Sequence, residues 1–198
     1  MPAHLLSDRR LLFVGSGLST ALGISSWRTL LKRIAQEEVS PTDVDWFIDL
    51  LRNPGQEYKA ADELARVLGR NRLETRLIQI VREEEERICS SVEIHRFTSL
   101  LRTVGSVGIV TTNWDTLLPK MTNYESLLWP ADCTKFADAL REARPFVLYL
   151  HGNIDAPPLV ITHDDCARQA KTFQESEFRF ETTLAIHTLT VIGSSYPD

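Results

Sequence analysis

Residues 11–31 read LLFVGSGLSTALGISSWRTLL, and this stretch decides the fold. An apolar run from Leu11 to Val14 stops at Gly15, a GSGLS turn follows, and an amphipathic stretch begins near Ser25. That order predicts a buried strand, a tight loop and a helix. Glycine has no Cβ, so Gly15 and Gly17 let backbone N–H groups approach a ligand closely, and N–H groups at a helix entrance favour an anion. A nucleotide phosphate meets that requirement, although two glycines after a strand also occur in loops that bind nothing. A dinucleotide-binding dehydrogenase follows GxGxxG with a second strand ending in Asp or Glu roughly 20 residues on. Here the next convincing strand starts at Val107. The turn therefore reads as nucleotide-binding, but not dehydrogenase-like.

Outward from the turn, Trp27, Leu30, Leu31 and Ile34 recur at helical spacing and predict a helix over 25–37. Ser40 as N-cap, Pro41 at the first helical position and Asp43 in the first turn signal a second helix, with Val44, Phe47, Ile48 and Leu51 as its apolar stripe. Further helices are predicted over 57–68, 72–88 and 92–103, and the Glu83–Glu86 run reads as a solvated helical surface. About four helices before the strand at 107–112 exceed a simple crossover connection. They imply a small helical module, about 40–86, inserted into an α/β sheet. Beyond it the pattern predicts short strands over 126–128 and 159–162, a helix over 133–143, a buried-type strand over 146–150, a helix from Thr172 to about Ala185 and a last strand over 188–192. The expected fold class is α/β, a Rossmann-like, mostly parallel sheet with helices on both faces. One domain is expected over residues 1–198, with the protein continuing beyond the stretch in hand.

With 43% hydrophobic and 25% charged residues, the 198-residue chain has the composition of an ordinary globular domain. A net charge of −5 argues against a nucleic-acid backbone as the main ligand. Cys89, Cys133 and Cys166 lie far apart without a CxxC pair, so cysteines build no zinc module and no metal site is expected. Sparse, odd-numbered cysteines fit free thiols in a reducing cytosol. The opening MPAHLLSDRR lacks a long apolar signal region, and no stretch approaches the roughly 20 apolar residues of a membrane span. A cytoplasmic protein with no membrane partner is expected.

Polar residues gather where the strands end. The first strand leads into GSGLS, the second into Thr111-Thr112-Asn113-Trp114-Asp115, a later one into His151-Gly152, and the last into Gly193-Ser194-Ser195. In an open α/β sheet the carboxyl ends of the strands form the crevice where ligands bind. His151 fits either a structural role at a strand tip or proton transfer near neutral pH. Asn113 either ties down a turn or orients a water or a ribose hydroxyl.

The set GSGLS, GISSW, TTNWD, LHG and GSSYPD, in this order, resembles the sirtuin-like NAD-consuming fold, the silent-information-regulator type. The resemblance spans nearly the whole chain and includes Glu93-Ile94-His95, where sirtuins also carry a histidine read as structural. Deacylating sirtuins have GIPDFR after the glycine loop, TQNID at the second strand and a four-cysteine zinc module. This chain has Gly23-Ile24-Ser25-Ser26-Trp27-Arg28, TTNWD and no such cysteines, which resembles the prokaryotic branch whose members often hydrolyse NAD in anti-phage defence.

The resemblance implies NAD as substrate, no zinc, and a homo-oligomer or a defence-system partner. It implies that Gly15, Ser16, Gly17 and Ser19 cradle the pyrophosphate, that Asn113 orients ribose and water, and that His151 is the general base. Thr112 belongs to the same site. Asp115 either polarises the ribose site or caps the turn, and Trp27 either walls the nicotinamide pocket or packs in the core. Gly193, Ser194 and Ser195 face the adenosine half. A noncatalytic NAD or ADP-ribose binding module is the alternative, and an NAD-dependent deacylase a third.

Overall fold

The computed structural model describes residues 10–89, 92–104, 106–175 and 187–194. In chain order the elements are β1 (Arg10–Val14), α1 (Ser16–Leu22), α2 (Trp27–Glu38), α3 (Pro41–Leu50), α4 (Glu57–Leu68), α5 (Arg70–Cys89), α6 (Val92–Val104), β2 (Gly108–Thr111), α7 (Leu117–Thr122), β3 (Glu125–Leu128), α8 (Cys133–Arg141), β4 (Phe146–Tyr149), α9 (His163–Glu175) and β5 (Thr188–Ile192). The five strands form one sheet in the order β3-β4-β2-β1-β5. Every pair is parallel. This is the Rossmann-like α/β class that the strand–helix alternation predicts.

Parallel pairing puts the carboxyl ends of all strands on one edge, and the period-2 alternation of side chains divides the core between the two faces. Leu12 and Val14 of β1 join Ile109, Val147 and Tyr149 on one face, covered by Leu18 and Leu22 of α1, Ile88 of α5 and Leu117, Leu118 and Met121 of α7. Leu11 joins Val110 and Leu148 on the other, covered by Trp129 and by Phe136 and Ala139 of α8. Gly108 pairs in register with Phe146, whose ring a Cβ at that position would overlap.

A third cluster lies among the helices. Leu30, Leu31 and Ile34 of α2, Phe47 of α3, Ala60, Ala61 and Leu64 of α4, and Leu73, Leu77, Ile80 and Val81 of α5 pack together with Ile154, Leu159 and Ile161 from the segment after β4. The helical core thus includes the loop that leaves the His151 strand tip.

Several local expectations change. The turn after Gly15 is the first turn of a helix, α1, because Gly15 stands at its N-cap and the chain winds at once. Ser26 caps α2 by accepting the Thr29 N–H, so that helix starts at Trp27. Ser40 holds the N-cap position of α3, but its hydroxyl bonds Asp43 and Thr42 instead of a backbone N–H. Residues 159–162 form no strand: this apolar run packs irregularly against the helical cluster. The helix expected from Thr172 starts at His163, where Thr162 Oγ1 accepts the Asp165 N–H at 3.2 Å and Asp165 Oδ2 accepts the Thr162 N–H at 3.0 Å. That reciprocal pairing is a capping box with Asp in place of Glu. The expected end of that helix near Ala185 lies outside the described residues. His95 is exposed on α6.

The Glu83–Glu86 run is not a uniformly solvated surface. Glu84 and Glu85 are buried, at 6% and 2% exposure, because each accepts hydrogen bonds from a loop packed over α5. A charge run in sequence does not show which of its members will meet such donors.

Candidate active site

The strand ends of β1, β2 and β4 surround one cleft. Its volume is about 180 Å³, and its lining includes Ser16, Ser19, Trp27, Thr112, Asn113, Asp115 and His151. It also includes residues that the sequence did not single out: Thr20, Ile24, Ser25, Tyr58 and Trp114. Tyr58 lies within the helix predicted over 57–68 and belongs to no motif. Trp114 stands inside the TTNWD motif without a role of its own.

A buried chain of hydrogen bonds ties the β1 and β2 ends together. Thr111 Oγ1 donates to Val14 O at 2.7 Å and accepts the Asn113 N–H at 3.1 Å. Asn113 Nδ2 donates to Gly15 O at 3.1 Å and to Ser19 Oγ at 2.8 Å, and the Ser19 hydroxyl donates to Asp115 Oδ2 at 2.7 Å. Asp115 Oδ1 accepts the N–H of Leu117, the first residue of α7, and Tyr149 Oη donates to the Asp115 carbonyl. Asp115 therefore caps the turn as well as lining the cleft. Burial raises its carboxyl above the ordinary value, and the nearby Glu85 adds to the effect.

The glycines do not present their amides to the cleft. Gly15 N–H donates to Ile192 O at 2.9 Å and Gly17 N–H to Gly193 O at 2.7 Å. A Cβ on either would lie 2.7 Å from Gly193 O. These glycines let the end of β5 pass close to α1, and their N–H groups are engaged there. Gly193, at φ +64°, is itself crowded by the Leu18 N–H, and Gly193 and Ser194 are exposed beside α1, not among the residues lining the cleft. Ser195 lies outside the described residues. Ser19, whose hydroxyl is donated to Asp115, is likewise committed within the protein.

Among the described residues, two fully buried side-chain atoms on the cleft lining find no hydrogen-bond partner: Asn113 Oδ1 and Trp114 Nε1. Buried polar groups in native proteins are nearly always paired, so an acceptor and a donor left open on adjacent residues mark a place for something polar. Trp114 meets Trp27 edge-on at 4.8 Å, and both rings pack against the helical cluster while walling the cleft. Trp27 thus packs on the helical core and lines the cleft.

His151 follows β4, and its imidazole makes no hydrogen bond to another described residue. Burial pushes its pKa down to about 4, so the ring is neutral at pH 7. Its backbone is held by Val160 N–H donating to His151 O at 3.0 Å, and Gly152, at φ +72°, leaves no room for a side chain against Pro158 O.

Residues 107–198 match the SIR2-like domain family. The SIR2-like span begins one residue before β2 and carries TTNWD, LHG and GSSYPD, including Asn113 and His151. It is sirtuin-like, and SIR2-like proteins are in general NAD-dependent enzymes. GSGLS and GISSW precede the matched span and join it through the Asn113–Ser19–Asp115 hydrogen bonds. No curated protein matches the chain. Among the described residues, no cluster of His, Cys, Asp and Glu could hold a metal, and no helix is long and apolar enough to cross a membrane.

Proposed function

We propose that the chain is an NAD glycohydrolase that splits the nicotinamide–ribose bond to give nicotinamide and ADP-ribose, serving as an NAD-depleting effector in anti-phage defence. The observation that supports this reading is one cleft lined by Asn113, whose Oδ1 has no partner among the described residues, by a neutral His151 and by the aromatic residues Trp27, Tyr58 and Trp114. At about 180 Å³ the cleft is smaller than the roughly 300–1,000 Å³ of whole-ligand pockets, so it suits the nicotinamide-ribose end of the dinucleotide.

The chemistry asks little acid assistance of the protein. Nicotinamide leaves with the electron pair of the C1′–N bond and becomes neutral, while positive charge develops on the ribose. Water then adds its oxygen to C1′ and loses a proton. Asn113 Oδ1 accepts a hydrogen bond from the ribose hydroxyl or the water, and the neutral imidazole of His151 takes the proton. A weakly basic imidazole suffices, because water bonding to a cationic carbon becomes strongly acidic. Apolar walls line the site, and Asp115 is held in it by the Ser19 hydroxyl and the Leu117 N–H.

Since the Gly15 and Gly17 amides are engaged by β5, the diphosphate falls to Ser16 and Thr20 at the cleft mouth. Gly193 and Ser194 remain as neighbours of the adenosine half. Among the described residues β5 is an edge strand, with Leu189 and Val191 41% and 38% exposed, and a second copy or a defence-system partner would pair there. Following nicotinamide release from NAD by the purified protein tests the proposal. Steady release supports the hydrolase, whereas NAD binding without release, also in assembled protein, supports a noncatalytic binding module.

A further inference from the structure

α5 sends polar side chains to each of the three loops around the cleft. Glu84 Oε2 accepts the Ser25 N–H at 2.8 Å and its Oε1 accepts the Ser25 hydroxyl at 2.7 Å. Glu85 Oε1 accepts the Thr116 N–H at 2.7 Å and the Thr116 hydroxyl at 2.8 Å, while its Oε2 meets Lys120 Nζ at 3.0 Å. On the His151 side, Arg82 donates to Ile154 O at 2.9 Å, Arg70 donates to Leu159 O at 2.6 Å and Glu74 accepts the Leu159 N–H at 2.6 Å.

The two adjacent carboxylates are the telling pair. They are nearly inaccessible, and burying charge is costly unless hydrogen bonds compensate it. Neighbouring helix positions point about 100° apart, so one pair of residues reaches two loops on different strands. Ser25 lies between Ile24 and Trp27 on one wall, and Thr116 follows Asn113, Trp114 and Asp115 on the other. The Trp27–Trp114 contact is the seam between those walls.

We propose that Glu84 and Glu85 are the positioning residues of the cleft, holding the Ser25–Trp27 wall and the Asn113–Thr116 wall at the spacing that the substrate requires. This rests on the NAD reading above for what the substrate is, but the spacing itself can be observed without turnover. Glutamine keeps the loop bonds: at position 84 its oxygen accepts the Ser25 N–H while its amide donates to Ser25 Oγ, and at position 85 its oxygen accepts both Thr116 donors while the half-exposed Lys120, deprived of its carboxylate, turns to solvent. Alanine removes both bonds and leaves the loop donors unpaired.

The test labels the four tryptophans with 5-fluorotryptophan and compares ¹⁹F spectra with nicotinamide release. Glu84→Ala shifts or broadens the Trp27 resonance and Glu85→Ala that of Trp114, while the Trp46 and Trp129 signals stay in place. Both alanine variants lower kcat at least tenfold per folded molecule, and Glu84→Gln and Glu85→Gln stay within threefold of wild type in both readouts. Should an alanine variant not fold, Ser25→Ala and Thr116→Val carry the same expectation with smaller shifts. Unmoved Trp27 and Trp114 resonances overturn the proposal, as does an unchanged kcat in folded alanine variants whose only defect is a lower Tm. A wild-type protein that releases no nicotinamide counts against the hydrolase, and the fluorine spectra then decide the positioning role alone.

Discussion

The β1 end and the ends of β2 and β4 look alike in sequence, each a polar, glycine-bearing stretch after an apolar run, yet they do opposite things. At the β1 end the two glycine amides and the buried hydroxyl are engaged inward, Gly15 and Gly17 on β5 and Ser19 on Asp115, and Ser16 stays on the cleft lining. At the β2 and β4 ends the groups are left open: Asn113 Oδ1 and Trp114 Nε1 have no partner, and the His151 imidazole has none among the described residues. Glycines after a strand thus report close approach of backbone, whereas unpaired buried polar atoms mark where a polar group, water or ligand, is accommodated.

If that contrast is right, Asn113→Ala and His151→Ala each slow nicotinamide release by at least about 100-fold per folded molecule, the usual scale for a general base, and Asn113→Ala also lowers Tm because Gly15 O and Ser19 Oγ lose a buried donor. A steady-state assay on the folded variants checks this, and near-wild-type rates would return either residue to the structural class.

The same histidine gives the next largest effect, on stability. Its folded pKa is about 4 against an ordinary 6.5, so the unfolded chain takes up a proton that the folded chain refuses. Stability is therefore full above about pH 6.5 and falls as pH drops towards 4, by at most about 3 kcal/mol. Urea titrations of wild type and His151→Gln between pH 7 and pH 4 isolate the term as their difference. A difference that does not vary with pH would place the imidazole in water instead of the cleft.

On the engaged side, Gly17→Ala forces a Cβ to 2.7 Å from Gly193 O and costs roughly 1–3 kcal/mol of stability. Activity per folded molecule changes less than threefold, because the Gly17 amide contacts β5 and not the substrate. Unimpaired stability together with lost NAD binding would reverse the assignment and give the glycine back to the diphosphate.

How far these features are legible in sequence follows from their range. β1, β2 and β4 announce themselves as apolar runs, and Asn113 and His151 are found because they terminate such runs. α1 is hidden because GSGLSTAL carries two glycines and little helical periodicity, and α7 because it has only six residues, including Pro119. The start of α9 is masked by the polar HDDCARQAK, whose cap depends on Thr162 and Asp165 meeting each other. Leu159 and Ile161 look like a strand because burial in an irregular segment produces the same apolar run. The engagement of the glycines by β5, and of Glu84 and Glu85 by Ser25 and Thr116, joins residues far apart in the chain, which no local pattern encodes.

A structure of the protein with ADP-ribose bound tests the central claim most directly. The account predicts the ribose C1′ hydroxyl within about 2.6–3.2 Å of both Asn113 Oδ1 and the His151 imidazole, or joined to the latter by one water, with the diphosphate beside Ser16. A ligand seated on the Gly15 and Gly17 amides, with its ribose turned away from His151, would contradict it.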